Sequence, residues 1–176
     1  DPFIFSHILG YTGSIDYLDN IEGREGLEAT YDKYLRGRDG LRVLYRDVKG
    51  NILQEKTLNE ARPGQPLKTT IDAEFQRYFY HRFQQGLQEL GRNSGVGIAL
   101  NPKTGEVLAL VSLPSFDNNE PAKFLSDKRQ PLFNRAISGL YSPGSTIKPL
   151  VGLAALQEKV ITPVFTVYSP GYLEIP

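Results

Sequence analysis

The chain has 176 residues, of which 40% are hydrophobic and 23% charged, and its twenty Lys and Arg balance its twenty Asp and Glu. These proportions exclude a disordered or fibrous chain, and the lack of net positive charge argues against a nucleic-acid-binding protein. The absence of Cys excludes disulfides, thiolate metal sites and a Cys nucleophile. The two His, His7 and His81, are far apart, so neither a metal site nor another cofactor is expected. The aromatic-rich helical pattern around His81 favours a partly buried packing role over catalysis.

The first 66 residues are predicted to form a turn-rich unit of mixed structure. Residues 7–13 predict a short strand that ends in a glycine turn, and residues 26–35 carry apolar side chains at helical spacing, with Gly37 as the stop. Two strand patterns, 41–47 and 52–57, flank a Lys-Gly-Asn turn and predict a hairpin. Two prolines and a glycine then interrupt residues 61–66, which predicts a linker and a domain boundary after Pro66.

The second part, residues 67–176, is predicted to alternate strands and helices. A short strand at 67–71 precedes Asp72, a good N-cap for an amphipathic helix whose apolar stripe is 75, 78, 79, 83, 87 and 90, closed by Gly91. Two apolar runs, 96–100 and 107–113, flank a polar turn and predict a hairpin covered on both faces.

The last predicted element is a helix at 145–158. It follows a loop at 114–131 that has room for one short polar helix. The predicted buried side of the helix consists of Ile147, Leu150, Val151, Leu153, Ala154 and Leu156.

Ser145 and Lys148 are the candidate catalytic pair. If the helix begins at Ser145, the two side chains share one face with Cβ atoms roughly 5–6 Å apart. The lysine is then placed to take the proton of the serine, and the N–H groups of the helix start can stabilise an oxyanion. Ser and Lys are both frequent in this chain, so the spacing fits equally a serine that caps a helix beside a surface lysine.

The surroundings of Ser145 decide between these interpretations. Residues 131–149, PLFNRAISGLYSPGSTIKP, closely resemble the active-site approach of class B penicillin-binding proteins. Other segments resemble further parts of the family, in the correct order. Residues 7–11 (HILGY) and 23–28 (GREGLE) resemble two motifs of its non-catalytic pedestal, and residues 67–76 (LKTTIDAEFQ) the start of its transpeptidase domain. Residues 101–110 (NPKTGEVLAL) resemble the hairpin before the serine, and residues 113–118 (LPSFDN) the segment after that hairpin. The resemblance is strongest to the elongation type, penicillin-binding protein 2.

The resemblance implies an α+β fold. Residues 1–66 would be part of the pedestal, or dimerisation-like, domain, and residues 67–176 a truncated N-terminal part of the transpeptidase domain, with an antiparallel sheet and helices. It also implies that Ser145 is acylated by the D-Ala-D-Ala end of a peptidoglycan stem peptide, with Lys148 as proton partner. β-Lactams would acylate the same serine.

Two of the family's three catalytic motifs, Ser-x-Asn and a Lys-Thr-Gly after the nucleophile, are absent. Residues 103–105 match Lys-Thr-Gly by letters, but they precede Ser145 in a predicted turn, so we interpret them as a chance match. Residues 126–128, Ser-Asp-Lys, begin like the second motif but lack the Asn. The chain is therefore expected to be an incomplete, inactive fragment. It also looks short for the family near residues 14–15 and 118–119.

The resemblance places the complete protein in the bacterial cell envelope, on the periplasmic side, held by an N-terminal transmembrane helix that this chain does not contain. Its pedestal is expected to contact a membrane glycan polymerase and scaffold proteins. Within the pedestal, Arg24, Glu25 and Glu28 form either a polar network or a solvated surface, while Arg135 is expected to support the approach to the active site. The longest apolar run of this chain is far shorter than the roughly 20 residues that span a bilayer.

Two other functions remain open at this level. A serine β-lactamase or penicillin sensor shares Ser-x-x-Lys but lacks a pedestal. A fragment that serves only as a pedestal or scaffold, with an interaction role and no activity, is compatible with the missing motifs.

Overall fold

The computed structural model describes residues 1–14 and 21–172. They contain helices and strands in this order: α1 Ser6–Leu9, β1 Thr12–Ser14, β2 Ile21–Gly23, α2 Gly26–Thr30, α3 Asp32–Leu35, β3 Leu41–Arg46, β4 Ile52–Asn59, α4 Ala73–Glu89, β5 Gly95–Leu100, β6 Val107–Leu113, α5 Arg135–Ser138 and α6 Lys148–Gln157. Short 3₁₀ turns lie at Pro121–Phe124 and Gly144–Ile147. None of the helices in the described ranges combines the length and apolar character that a bilayer span requires.

The strands form three antiparallel pairs, β1–β2, β3–β4 and β5–β6. Both predicted hairpins are confirmed, and β5 pairs with β6 from Gly95 opposite Leu113 to Leu100 opposite Val107. The mixture of helices and small antiparallel sheets confirms the predicted α+β class. The chain divides into two compact units, residues 1–139 and 140–176. The boundary predicted after Pro66 does not coincide with this division of the packing, and it stays a prediction.

The core of residues 1–139 lies where α4 packs across β6. Ile4, Tyr80, Val111 and Leu113 are buried there together, and Phe79, Phe83 and Leu87 of α4 pack against them. The predicted helix is confirmed, and the Asp72 carboxylate accepts hydrogen bonds from Glu74 N and Phe75 N at 3.1 and 3.0 Å.

The predicted stripe of α4 is partly wrong. Tyr78 and Leu90 are exposed, whereas Gln76 is fully buried. The polar Gln76 is tolerated there because its amide Nε2 donates to Ile4 O at 2.9 Å and Leu110 O at 2.8 Å, while its Oε1 accepts from Leu110 N at 2.8 Å. The buried face is therefore centred on positions 76, 80 and 83, and hydrophobicity alone misses its most buried member.

Three other predictions about local structure need correction. Residues 7–9 belong to α1 rather than to a strand, since Gly10 N donates to Ser6 O and closes a helical turn. The helix predicted at 26–35 is broken at Tyr31, whose backbone leaves the helical region at φ −112° and ψ 20°. Residues 67–71 form no strand, because the segment reaches β6 only through Thr70 Oγ1, which donates to Val107 O, and Asp72 N, which donates to Leu108 O.

Predicted burial fails in two places. Strand β6 is buried or half-buried throughout, but β5 leaves Ile98 and Leu100 exposed, so the hairpin is not covered on both faces. Helix α6 forms as predicted, yet Leu150, Val151 and Leu153 on its predicted buried side are exposed. None of the described residues 140–172 is buried.

Candidate active site

Ser145 lies in the 3₁₀ turn Gly144–Ile147, directly before α6. Pro143 precedes the turn, and Gly144 adopts φ +55°, a left-handed conformation that glycine takes without a steric cost. The backbone N–H of Lys148 donates to Ser145 O, which links the turn to the helix. The prediction that a helical turn begins next to Ser145 is confirmed, although its first turn is 3₁₀ rather than α.

The two predicted site residues are both exposed. The N-cap positions of the 3₁₀ turn and of α6 are Pro143 and Ile147, and neither has a side-chain cap bond. Ser145 therefore does not cap this helix, and its catalytic role stays a prediction. Within the described residues, no hydrogen bond joins the Ser145 hydroxyl to the Lys148 amine. The two residues therefore lie on consecutive turns, and the Ser145 hydroxyl has no hydrogen-bond partner among the described residues.

The segment before Ser145 is held by polar contacts. Asn134 caps α5, its Oδ1 accepting from Ala136 N at 3.1 Å. Arg135 donates from its guanidinium to Arg129 O at 2.6 Å and to Gln130 O at 2.9 Å, and its backbone N–H donates to Ser112 Oγ at 3.0 Å. Arg135 therefore braces this segment, which is the supporting role that the sequence predicted for it.

His7 is a buried ionisable residue in contact with this segment, since its main-chain carbonyl accepts from Asn134 Nδ2. Its ring packs edge-on against Phe116 at 5.2 Å between centroids. Burial lowers the pKa of His7 from its usual value near 6.5 to about 4, and the charge of Arg135 adds to that effect, although the carbonyl groups of Pro131 and Phe133 oppose it. His7 is thus a neutral packing residue near pH 7, whereas His81, predicted to be partly buried, is exposed on α4.

A cavity of about 620 Å³ lies within residues 1–139, between α2, the 67–71 segment and α5. Its lining combines apolar residues such as Leu67 and Leu110 with polar residues such as His7, Lys68 and Asn134. The described residues hold no cluster of three His, Asp or Glu side chains arranged to bind a metal ion.

The two motif matches that we interpret as chance lie in turns. Lys103 and Thr104 belong to the β5–β6 turn, where Asn101 Oδ1 accepts from Lys103 N at 3.0 Å and Thr104 Oγ1 donates to Glu106 at 2.8 Å. Asp127 pairs with Arg129 at 2.6 Å, and the hydrogen bond from that guanidinium lowers the pKa of Asp127 to about 2. In both segments the side chains form hydrogen bonds or ion pairs within their own turn.

Sequence reasoning missed the supporting residues Gln76, Ser112, Asn118 and Asn134. Asn134 could have been found, because an Asn followed by a helix-favouring Arg-Ala pair is a typical N-cap. The other three carry no local pattern, since each acts on a carbonyl or amide far away in the chain.

Two family models match the chain in sequence order. Residues 3–69 match the penicillin-binding protein dimerisation domain, and residues 95–174 match the penicillin binding protein transpeptidase domain. The chain belongs to the penicillin-binding protein family. The resemblance read from the sequence is thereby confirmed, as is its fold class.

Relatives and solved structures agree with this family. The chain is 33% identical to the peptidoglycan D,D-transpeptidase MrdA of Haemophilus influenzae over 97% of its own length, and 35% identical to the D,D-transpeptidase FtsI of Buchnera aphidicola over 92%. The crystal structure of Pseudomonas aeruginosa PBP2 in complex with WCK 5153 superimposes on 99% of the chain with a TM-score of 0.72 and 32% identity. This likeness supports the predicted similarity to penicillin-binding protein 2.

The chain spans only part of these proteins: 29% of the MrdA protein, 27% of the FtsI protein and 37% of the PBP2 structure. The MrdA alignment runs over 196 positions, more than the 176 residues of the chain, so that relative has residues within the matched region that this chain lacks. This agrees with the prediction that the chain is short for the family. Of the two places predicted, Ile15 of the first lies outside the described residues.

Proposed function

We propose that this chain is the part of a peptidoglycan D,D-transpeptidase that carries the acylated serine, Ser145, with Lys148 as its proton partner. The observation that carries the proposal is the ordered match to both family models, with Ser145 and Lys148 at the start of a helix inside the transpeptidase match. The uncommitted hydroxyl of Ser145 supports it, because a nucleophile must be available to substrate.

The proposed reaction proceeds in two steps. Ser145 Oγ attacks the carbonyl carbon of the penultimate D-Ala of a stem peptide, and its proton passes to Lys148 Nζ. The C–N bond breaks, and D-Ala leaves with that proton on its amine. The amine of a second stem peptide then attacks the acyl-Ser145 ester, which restores the serine and forms the cross-link. The oxyanion of both steps would need backbone N–H groups other than that of Lys148, which donates to Ser145 O, and Pro149 has no N–H to offer.

A β-lactam follows only the first step. Ser145 opens the lactam ring, and the leaving nitrogen stays attached to the acyl group, so the adduct persists. The match to the dimerisation domain over residues 3–69 favours a transpeptidase over a serine β-lactamase or penicillin sensor. A long-lived adduct on the complete protein is therefore expected, and rapid turnover of the adduct would argue for a β-lactamase.

We further propose that the complete protein works in the bacterial cell envelope, on its periplasmic side, where the D-Ala-D-Ala substrates occur. A transmembrane helix outside this chain would anchor it. Residues 1–66, as part of the pedestal domain, would provide the contact surface for a membrane glycan polymerase and for scaffold proteins, and residues 67–176 would begin the catalytic domain.

The test is acylation of the complete protein by a fluorescent penicillin. Ser145→Ala is expected to abolish labelling, and Lys148→Ala to lower the acylation rate constant by about 10²–10⁴-fold, the usual contribution of a proton-transfer group. Ser142→Ala is the matched control, since Ser142 is an exposed serine three residues away, and it should label normally. Labelling that survives in Ser145→Ala would refute the assignment.

The 176-residue chain alone is expected to show little or no labelling. It contains no Ser-x-Asn and no Lys-Thr-Gly after Ser145, so the proton relay and the ligand anchor are missing. The measurement is in-gel fluorescence after incubation with the same penicillin. Strong labelling that depends on Ser145 would contradict the expectation that the chain is an inactive fragment.

A further inference from the structure

The turn that carries Ser145 is closed by Thr146, which bonds twice to the same atom. The backbone N–H of Thr146 donates to Pro143 O at 3.2 Å, and its side-chain hydroxyl donates to that carbonyl oxygen as well. The two bonds close a ring of main-chain atoms that contains Gly144 and Ser145. Among the described residues, no other side chain forms a hydrogen bond to the main chain of this turn.

Little else holds the turn in one conformation. Gly144 has φ +55°, and within the described part of the chain nothing lies within 4 Å of the place where its Cβ would be. Glycine adopts many backbone conformations at little cost, and the hydrogen bonds of a 3₁₀ turn have poorer geometry than those of an α-helix. Residues 143–148 are all exposed, and neither Pro143 nor Ile147 makes a side-chain cap bond. The conformation of the turn therefore depends on the bonds that it makes to itself, and two of these come from Thr146.

The conformation of the turn sets the direction in which the Ser145 hydroxyl points. A rotation of the peptide unit between Gly144 and Ser145 would swing the Cα–Cβ bond of the serine, and the hydroxyl with it. Lys148 lies on the next turn, and its own N–H donates to Ser145 O. The same rotation would therefore change the distance between the serine hydroxyl and the lysine amine. Nucleophilic attack is sensitive to displacements of about 1 Å, so such a rotation affects how often the serine is correctly placed.

We infer that Thr146 is a positioning residue for Ser145, acting through the bond from its hydroxyl to Pro143 O. The inference rests on the proposed function of Ser145. A threonine hydroxyl in a helix commonly bonds to a carbonyl group three or four residues earlier, as a local contact. Thr146 differs from that general case because the nucleophile lies inside the ring that its bond closes, next to a glycine that would otherwise be free to rotate.

Thr146→Val in the complete protein tests the hydroxyl, because valine keeps the branched shape of the side chain and the backbone N–H. We expect the rate constant for acylation by a fluorescent penicillin to fall about fivefold, the factor that corresponds to one lost neutral hydrogen bond. Thr146→Ser keeps a hydroxyl within reach of Pro143 O and should restore most of the lost rate.

The matched control is Thr162→Val, the same chemical change within the 140–176 unit. Thr162 is exposed, and its hydroxyl has no hydrogen-bond partner among the described residues. The rate constant of this variant should equal that of the unsubstituted protein.

The rate constant is measured per labelled molecule and well below the melting temperature, with the melting temperature recorded separately. A fall for Thr146→Val that Thr146→Ser reverses, and that Thr162→Val does not show, would support the inference. A merely structural role would lower the melting temperature of Thr146→Val and leave its rate constant unchanged, and that result would overturn the inference. Equal falls for Thr146→Val and Thr146→Ser would also overturn it, since the hydroxyl would then not be the cause. If the unsubstituted protein is not labelled at all, the proposed function fails first, and the positioning role fails with it.

Discussion

At the scale of single residues, the buried polar groups carry most of what is specific to this fold. Gln76 is buried among apolar side chains and forms three hydrogen bonds to the main chain. His7 differs from Gln76, because its Nε2 is buried and has no hydrogen-bond partner among the described residues. A buried imidazole in that condition strongly favours its neutral form.

His7 predicts a loss of stability in acid. Its pKa is about 4 in the folded chain and near 6.5 when unfolded, so between these values the unfolded state binds more protons and stability falls as the pH is lowered. The contribution is complete above pH 6.5 and reaches a loss of about 3 kcal/mol below pH 4.

The check is urea unfolding at pH 7 and pH 4.5 of the chain and of His7→Phe, which keeps a ring against Phe116 and cannot titrate. His7→Phe should lose clearly less stability between the two pH values, the remainder coming from carboxylates common to both proteins. Equal losses would mean that His7 does not titrate as proposed.

At the scale of elements, backbone contact explains the glycines of the motifs at residues 7–11 and 23–28. A Cβ on Gly10 would lie 1.8 Å from Glu25 O, and one on Gly23 would lie 2.0 Å from Glu28 O, so glycine lets α1 and β2 approach α2 closely. Arg24 donates to Ser14 O, and among the described residues no ion pair joins it to Glu25 or Glu28. The sequence predicted either a polar network or a solvated surface for these charges. The network is not seen among the described residues, and the motif makes its close contacts through its main chain.

Gly10→Ala should therefore lower the free energy of unfolding by more than about 3 kcal/mol, since it combines a backbone clash with a left-handed φ of +79°. Gly50→Ala is the control, because Gly50 has φ +88° in a turn with nothing within 4 Å, and it should lose only about 1 kcal/mol. Urea unfolding of both variants measures the difference. Similar losses at the two positions would show that the close approach of α1 to α2 is wrong.

At the scale of the whole chain, the 1–139 unit draws its core from both of the matched families. Ile4 lies within the dimerisation match and Val111 within the transpeptidase match, yet they are buried together, and Gln76 ties Ile4 to Leu110. Residues 61–66, although mostly exposed, contact the chain before them, since Gln65 N donates to Tyr34 O and Gly64 leaves no room for a Cβ beside Leu35 O. Matched families and packing units therefore divide the chain at different places.

Burial predicts which parts of the chain open most easily. Amides of α4 and β6 should be the most protected against hydrogen exchange, because these elements form the core. Amides of α6 should exchange much faster, since none of the described residues 140–172 is buried. Hydrogen exchange with mass spectrometry on the 176-residue chain gives the comparison. Equal protection of α4 and α6 would contradict the exposed state of α6.

The sequence by itself determined the hairpins, α4 with its Asp72 cap, the turn at Ser145 and the family, because each depends on neighbouring residues or on an ordered set of local motifs. Only the tertiary structure decided that residues 7–9 are helical, that Gln76 is buried and that Asn118 and Asn134 donate to the carbonyl groups of Gly10 and His7. Those features depend on hydrogen bonds between residues 34 to 127 positions apart and on backbones in direct contact. Such partners leave no periodic or local pattern in the sequence, so they become visible only once the chain has folded.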